Sequence, residues 1–353
     1  MNGPEHAQTP VDSGAVSVIM PILNEERHLR DAVAVVLDQD YPGEMELVLA
    51  LGPSSDGTDD VAHALAEQDP RIICVPNPSG RTPDALNVAI AASRYDVLAR
   101  VDGHALIPRS YLSIAVDVLR RTGADNVGGI MDAQGTTPFE RAVAAAMRSR
   151  LGVGNSPFHT GGKEGPAETV YLGVFRRSAL ERVGGYDAHF ARAQDWELNH
   201  RIRESGGLVW FTPDLTVRYR PRDSVAALGR QYFYYGRWRR VVARTHGTIS
   251  ARYLAPPALV LGLGAALLVA PRWPATLLVP CAYLLAIGGG GVVIGTGLRW
   301  SERASRNTRV SVLTPVHTSM STRPVNGLPR AMWRQPCAGA SDATDWSGTP
   351  RPS

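Results

Sequence analysis

The chain has 353 residues, 44% hydrophobic and 20% charged, which supplies a sizeable core and excludes an intrinsically disordered chain. Its 35 glycines and 26 prolines follow no three-residue period, so a collagen-like fibre is excluded too. A surplus of 37 basic over 33 acidic residues, net +4, favours an anionic ligand or membrane surface and does not call for nucleic acid.

Residues 1–14 read as a polar lead without the apolar stretch of a secretory signal. Val16–Met20 is a short apolar run ended by Pro21, followed over 25–37 by helical spacing of Leu29, Ala32, Val33, Val36 and Leu37. Further strands are predicted at 46–51, Arg71–Val75, Asp96–Val101 and Val127–Met131, with helices at Val61–Ala66 and Pro83–Ala92 between them. Strands alternating with helices predict βαβ units, hence an α/β domain with a mostly parallel sheet.

A helix is predicted at Phe139–Leu151, then a mobile glycine-rich loop over 152–165 and a strand at Thr169–Phe175. Short helices follow at Ser178–Val183, closed by Gly184-Gly185, and at Trp196–Glu204, with strands at Leu208–Phe211 and Leu215–Tyr219. The domain so defined spans 15–224. Residues 225–253 carry a basic, aromatic helix suited to a headgroup boundary. Two charge-free apolar runs within 254–298 predict a transmembrane hairpin, split at Pro271-Arg272-Trp273-Pro274. Arginines flank both sides, among them Arg237, Arg240 and Arg244 before it and Arg299, Arg303 and Arg306 after it, which places both flanks in the cytoplasm. Residues 299–353 lack periodicity and are predicted to be disordered. Cys74, Cys281 and Cys337 lie far apart, which argues against a disulfide framework or a zinc site.

Three polar motifs fall where strands end, the edge at which open α/β sheets bind ligands, and a fourth opens a helix. Asn24-Glu25 follows the first strand and can reach a base or ribose; a purely structural reading has Asn24 capping the next helix. Ser54-Ser55-Asp56-Gly57-Thr58 follows the second and also reads as a loop with a helix cap. Arg100-Val101-Asp102-Gly103-His104 ends the fourth; period-2 spacing puts Asp102 and His104 on one side, where they can share a divalent cation. The competing reading there is a plain Asp-Gly turn. Gln194-Asp195-Trp196-Glu197 opens a helix, where Asp195 is either a general base or a complement to the helix dipole. No GxGxxG follows the first strand, so a Rossmann dehydrogenase is excluded.

In this order, and with Val174–Asp187 between the last two, these motifs resemble family-2 glycosyltransferases of the GT-A fold over about residues 15–210. Val101–His104 and Gln231–Arg239 are most similar to the branch of succinoglycan-type glucosyltransferases of bacterial exopolysaccharide synthesis. The resemblance implies a membrane-associated, inverting transfer from a nucleoside-diphosphate sugar, most often a UDP-sugar, to a lipid-linked or saccharide acceptor at the cytoplasmic face of the cell membrane. It implies donor binding by Pro21, Asn24, Glu25, Asp56, Arg81, Asn87 and Asp102, and Asp195 as the base. It places Gln194, Trp196 and Asp187 on the acceptor side, and a divalent cation, Mn²⁺ or Mg²⁺, on Asp102 and His104. Two departures bear on this. Leu51 and Gly52 stand where paired aspartates are usual, and five residues part Gln231 from Arg237-Trp238 where processive synthases have two. The second favours single addition over a processive polysaccharide synthase. A catalytically inactive nucleotide-sugar-binding scaffold is the remaining alternative.

Overall fold

The computed structural model describes residues 14–154, 156–247 and 251–311; most of the polar lead, and the tail with Cys337, lie outside the described residues. The alternating half comprises β1 (Val16–Ile22), α1 (Leu29–Leu37), β2 (Met45–Leu51), α2 (Thr58–Gln68), β3 (Ile72–Pro76), α3 (Thr82–Ala92), β4 (Val97–Arg100) and α4 (Tyr111–Thr122). There follow β5 (Asn126–Ala133), α5 (Pro138–Met147), the one-turn helices α6 (Arg150–Val153) and α7 (Pro157–Thr160), and β6 (Gly165–Pro166). Then come β7 (Tyr171–Arg176), α8 (Arg177–Val183), α9 (Gln194–Glu204) and β8 (Val209–Tyr219). The C-terminal helices are α10 (Val225–His246), α11 (Ala251–Val269) and α12 (Leu278–Ser311), with a 3-10 turn at Pro274–Leu277 before the last. A second compact unit begins at Ala304, of which only residues 304–311, helical, are described.

One mixed sheet runs β3-β2-β1-β4-β7-β5-β8-β6. β3, β2, β1 and β4 are parallel, while β7 runs antiparallel to both β4 and β5. β1 is buried on both faces, as central parallel strands are. Val16, Val18, Met20 and Ile22 join Leu29 and Val33 of α1 and Leu112 of α4 in one core. Ile19, pointing the other way, joins Ala85, Leu86 and Ala89 of α3 in the second. Full burial of each larger side chain contributes roughly 1.5–3 kcal/mol.

The structure departs from the sequence expectations in several places. β1 continues through Pro21, which pairs with Ala50 beyond the last β1–β4 pair at Ile19 and Arg100, where the missing N–H costs no ladder bond to β4. α1 begins at Leu29, because Asn24 takes the left-handed conformation (φ +54°) and a turn occupies 26–28. The two strands predicted over 208–219 are one, β8, whose register against β5 shifts between Gly128 and Ile130. Gly129 permits that shift, since a Cβ there would lie 1.9 Å from the Leu215 carbonyl oxygen. The predicted mobile loop takes in the end of α6, all of α7 and the start of β6, and residues 299–311 continue α12.

Of the two predicted spans, Pro274–Gly295 is long and apolar enough to cross a membrane, with 22 residues, mean hydropathy 2.1 and none of its apolar window buried. Leu254–Val269 is apolar but shorter. α10 is not exposed all round: Val242 is buried, and Trp238 lies 6.3 Å from the rings of both His189 and Phe190.

Candidate active site

Because β1 to β4 are parallel, the loops after them share one edge of the sheet. The first two loops are stitched together. Asn24 N–H donates to Ser54 Oγ (3.1 Å), and Asn24 Oδ1 accepts from Ser55 N–H (2.8 Å). Glu25 N–H donates to Thr58 Oγ1 (2.8 Å), Glu26 N–H to Asp56 Oδ2 (3.3 Å), and Gly57 N–H to Glu26 Oε2 (3.2 Å). Asn24 therefore does not cap α1. Its side chain joins two loops, and Asn tolerates the left-handed conformation this needs. Asp56 also accepts from Thr58 N–H (3.2 Å), taking up a free donor at the start of α2. Burial would raise the Asp56 pKa, yet the bonds from Thr58 and Glu26 hold it below the ordinary value. Pro21 is half-buried beside this loop pair. Gly52 is close-packed: a Cβ would lie 3.0 Å from Leu23 Cδ1 and 3.2 Å from the Ile22 carbonyl, so any side chain there requires its neighbours to give by a few tenths of an ångström.

β4 ends at Arg100, and a turn closed by the Ala105 N–H to Asp102 carbonyl bond follows, so strand alternation does not govern Asp102 and His104. His104 Nδ1 instead meets Glu25 Oε1 at 2.7 Å, and the pair raises the His104 pKa against the opposing effect of burial. Arg100 is buried, with a side chain 5% exposed. Its Nε (3.1 Å) and Nη2 (3.0 Å) contact Asp102 Oδ1, and its Nη1 donates to Asp195 Oδ1. One guanidinium thus joins the two carboxylates that the sequence motifs single out. Burial pushes the Asp195 pKa up, Arg100 opposes the rise, and Asp102 adds to it. Each carboxylate meets Arg100 through Oδ1. The sequence reading gives Arg100 no role. The signal was an arginine closing a strand, Val97–Arg100, that is buried at every position.

The far wall is held by α3, α8 and α9. Gly184 (φ +74°) closes α8, and Gly185 (φ +72°) turns the chain into Tyr186. Asn87 spends both ends of its amide on Tyr186: Nδ2 donates to the carbonyl (2.7 Å) and Oδ1 accepts from N–H (2.8 Å). The Tyr186 ring centroid lies 6.0 Å from Arg100 Cζ. Arg81 pairs with Asp84 (2.8 Å) and donates from Nη1 to the Ala188 carbonyl (3.2 Å). Asp187 is exposed and accepts from His189 N–H (2.8 Å). Arg201 fastens α9 to this turn, donating to the Gly185 carbonyl (2.9 Å) and pairing with buried Glu197 (2.6 Å). Gln194 opens α9. Trp196 stacks on His200 (5.1 Å), with the Arg239 guanidinium of α10 5.7 Å from its ring; its Nε1 is buried without a hydrogen-bond partner.

The structure therefore brings Asp102, Asp195 and Arg100 together, with the Glu25–His104 pair joining the loops after β1 and β4. It spends Asn24, Asp56 and Asn87 on holding backbone, and Trp196 on the α9–α10 junction. Among the described residues no group of three or more His, Cys, Asp or Glu side chains is placed to hold a metal ion.

The mixed α/β fold that carries this site is GT-A-like. The chain matches a mannosyltransferase from Pyrobaculum calidifontis, solved in complex with GDP-Man and Mn²⁺, with TM-score 0.52 and 22% identity over 81% of this chain and 83% of that one. Residues 17–184 match the family described as Glycosyl transferase family 2. The succinoglycan biosynthesis protein ExoA of Rhizobium meliloti (strain 1021) is 33% identical over 285 residues, 80% of this chain and 86% of that protein. A dolichyl N-acetyl-alpha-D-glucosaminyl phosphate 3-beta-D-2,3-diacetamido-2,3-dideoxy-beta-D-glucuronosyltransferase of Methanococcus voltae is 25% identical over 63% of this chain and 71% of that one. The chain belongs to glycosyltransferase family 2 and is a glycosyltransferase.

Proposed function

We propose that this glycosyltransferase performs a single inverting transfer from a nucleoside-diphosphate sugar, a UDP-sugar in the first instance, to a lipid-linked or saccharide acceptor at the cytoplasmic face of a membrane. The observation that carries the reading is the Asp102–Arg100–Asp195 array at the carboxyl edge of the sheet. Asp195 is the base: its carboxylate takes the proton of an acceptor hydroxyl as that oxygen attacks the anomeric carbon. Displacement from the face opposite the diphosphate inverts the centre. The loops at 21–26 and 54–58, with Pro21, Asn24, Glu25 and Asp56, form the nucleotide side. Arg81 lies towards the donor, and Asn87 acts through the Tyr186 turn it holds.

Asp102 and His104, two residues apart, would hold a divalent cation, Mn²⁺ or Mg²⁺, together with the donor diphosphate. Such a cation supplies neutralisation of the charge on the leaving diphosphate. Gln194, Trp196 and Asp187 border the acceptor side, with Trp196 acting through the α9–α10 junction.

Membrane association rests on Pro274–Gly295 and on the outer face of α10, which exposes Tyr232, Phe233 and Tyr235 beside Arg237 and Arg240. We assign 15–224 to the catalytic domain, 225–253 to the interfacial segment whose helix α10 docks by its inner face and turns its outer one to lipid, and 254–298 to the membrane hairpin.

The test is nucleotide release by membranes carrying the protein, offered UDP-, GDP- and dTDP-sugars with Mn²⁺ or Mg²⁺ and a lipid extract. The expected result is cation-dependent release of UDP from one donor, abolished in Asp102→Ala and lowered about 1,000-fold in Asp195→Asn. Near wild-type turnover in Asp195→Asn would remove it as the base. Products longer by one sugar support single addition, and a ladder would show processive synthesis.

A further inference from the structure

We propose that Arg100 is a positioning residue for the transfer: its planar fork fixes Asp195 relative to Asp102 and so sets the base against the donor diphosphate. The inference rests on the roles given above to those two aspartates.

Arg100 is placed by the sheet, not by a loop. It is the last residue of β4, in register with Ile19 of β1, and its side chain is 5% exposed. Asp102 follows on the next turn, but Asp195 arrives from α9, 95 residues further on. The guanidinium reaches both, with Nε and Nη2 on Asp102 and Nη1 on Asp195. Those nitrogens lie in one rigid plane, so the two carboxylates are held at a separation set by the fork itself. Tyr186 lies against Arg100, and the Tyr186 backbone is fixed in turn by both ends of the Asn87 amide. The side chains of α3 thereby support the plane of Arg100 at second hand.

A counter-ion alone would not need this shape. Lysine carries the same charge on one atom and would neutralise the pair, but it cannot present separated, coplanar donors. A base misplaced by about 1 Å loses roughly 100-fold in rate. Lysine at this position therefore separates charge from geometry.

The experiment uses the full chain in membranes or detergent: wild type, Arg100→Lys, Arg100→Gln, Asp195→Asn and the double variant Arg100→Lys/Asp195→Asn. Folding is read by thermal unfolding, donor-side binding by calorimetry with UDP and Mn²⁺, and transfer by steady-state kinetics with the donor that wild type uses. Arg100→Lys is expected to fold, to bind UDP with Mn²⁺ within about threefold of wild type, and to lose roughly 100-fold in kcat with little change in donor KM. Arg100→Gln is expected to lose at least as much. The double variant is expected to be about as slow as Asp195→Asn, because residues acting through one group are not additive.

A kcat for Arg100→Lys within about threefold of wild type would overturn the proposal. So would a loss confined to UDP affinity, or a failure of both the lysine and the glutamine variants to fold, which would make Arg100 a structural ion. Full turnover by Asp195→Asn would instead remove the base assignment itself. An inactive Asp195→Asn beside a fully active Arg100→Lys would remove only the positioning role.

Discussion

The two loop systems that border the site are tied in opposite chemical senses. Between the ends of β1 and β2, side-chain oxygens accept from backbone N–H groups: Ser54 from Asn24, Asn24 from Ser55, Thr58 from Glu25, and Asp56 from Glu26. Around α8 and α9, guanidinium groups donate to backbone carbonyls: Arg201 to Gly185, Arg81 to Ala188, and Arg177 to Tyr95 and Ser93. The first system consumes amide donors and depends in part on ionised carboxylates. The second consumes carbonyls through a group that stays charged at every pH at which the protein folds. On the proposed reading, donor-side loops are cross-linked by acceptors and the base's surroundings mainly by donors, with the Asn87 amide serving both ways, so the two can be loosened separately.

The largest expected effect is on the arginine side. Arg201→Ala removes the tie to Gly185 and takes the guanidinium from Glu197, whose side chain is 1% exposed and keeps His246 Nε2 at 3.3 Å, so a loss of about 3 kcal/mol is expected in denaturant unfolding. A loss under about 1 kcal/mol would mean the turn is held by something else. Next come the two glycines this arginine helps to place. Gly184→Ala meets nothing within 4 Å and bears only its positive φ, at about 1 kcal/mol. Gly185→Ala adds a Cβ 2.6 Å from Asn87 Oδ1 and is expected to cost about 2–3 kcal/mol. It should also lower transfer, because Asn87 holds the Tyr186 backbone beside Arg100. Equal costs at the two glycines would break the claimed coupling of α3 to the turn.

Legibility in the sequence follows the same divide. The buried stripe of α1 (Leu29, Ala32, Val33, Val36) was readable because its spacing is a local property of the chain. The antiparallel direction of β7 was not, since a period-2 pattern is the same read either way and strand order is decided by packing. β6, Gly165–Pro166, carries no strand propensity at all. In the site, Asp102 and Asp195 stood out because each lies in a compact motif. The link between them did not, because Arg100 meets a partner 95 residues away. Asn87 and Asn24 look free for ligand in sequence, yet each amide is committed to a second loop that only the folded chain supplies.

The smaller effects sharpen the acceptor side of the comparison. Asn24→Ala loses the bond from Ser55 and puts alanine at φ +54°, for a cost of about 2 kcal/mol. Asn24→Gly loses the bond alone and should cost about 1 kcal/mol. Last is acid. Asp56 has a folded pKa below its ordinary value of 3.8, so its contribution is complete above that value and fades as pH falls through the lower, folded one. Amide hydrogen exchange, corrected for intrinsic rates, should therefore quicken at Glu26 and Thr58 as the pH is taken below 3.8, while Tyr186, held by the uncharged amide of Asn87, stays protected. Simultaneous loss of protection at both places would show that the two loop systems open as one.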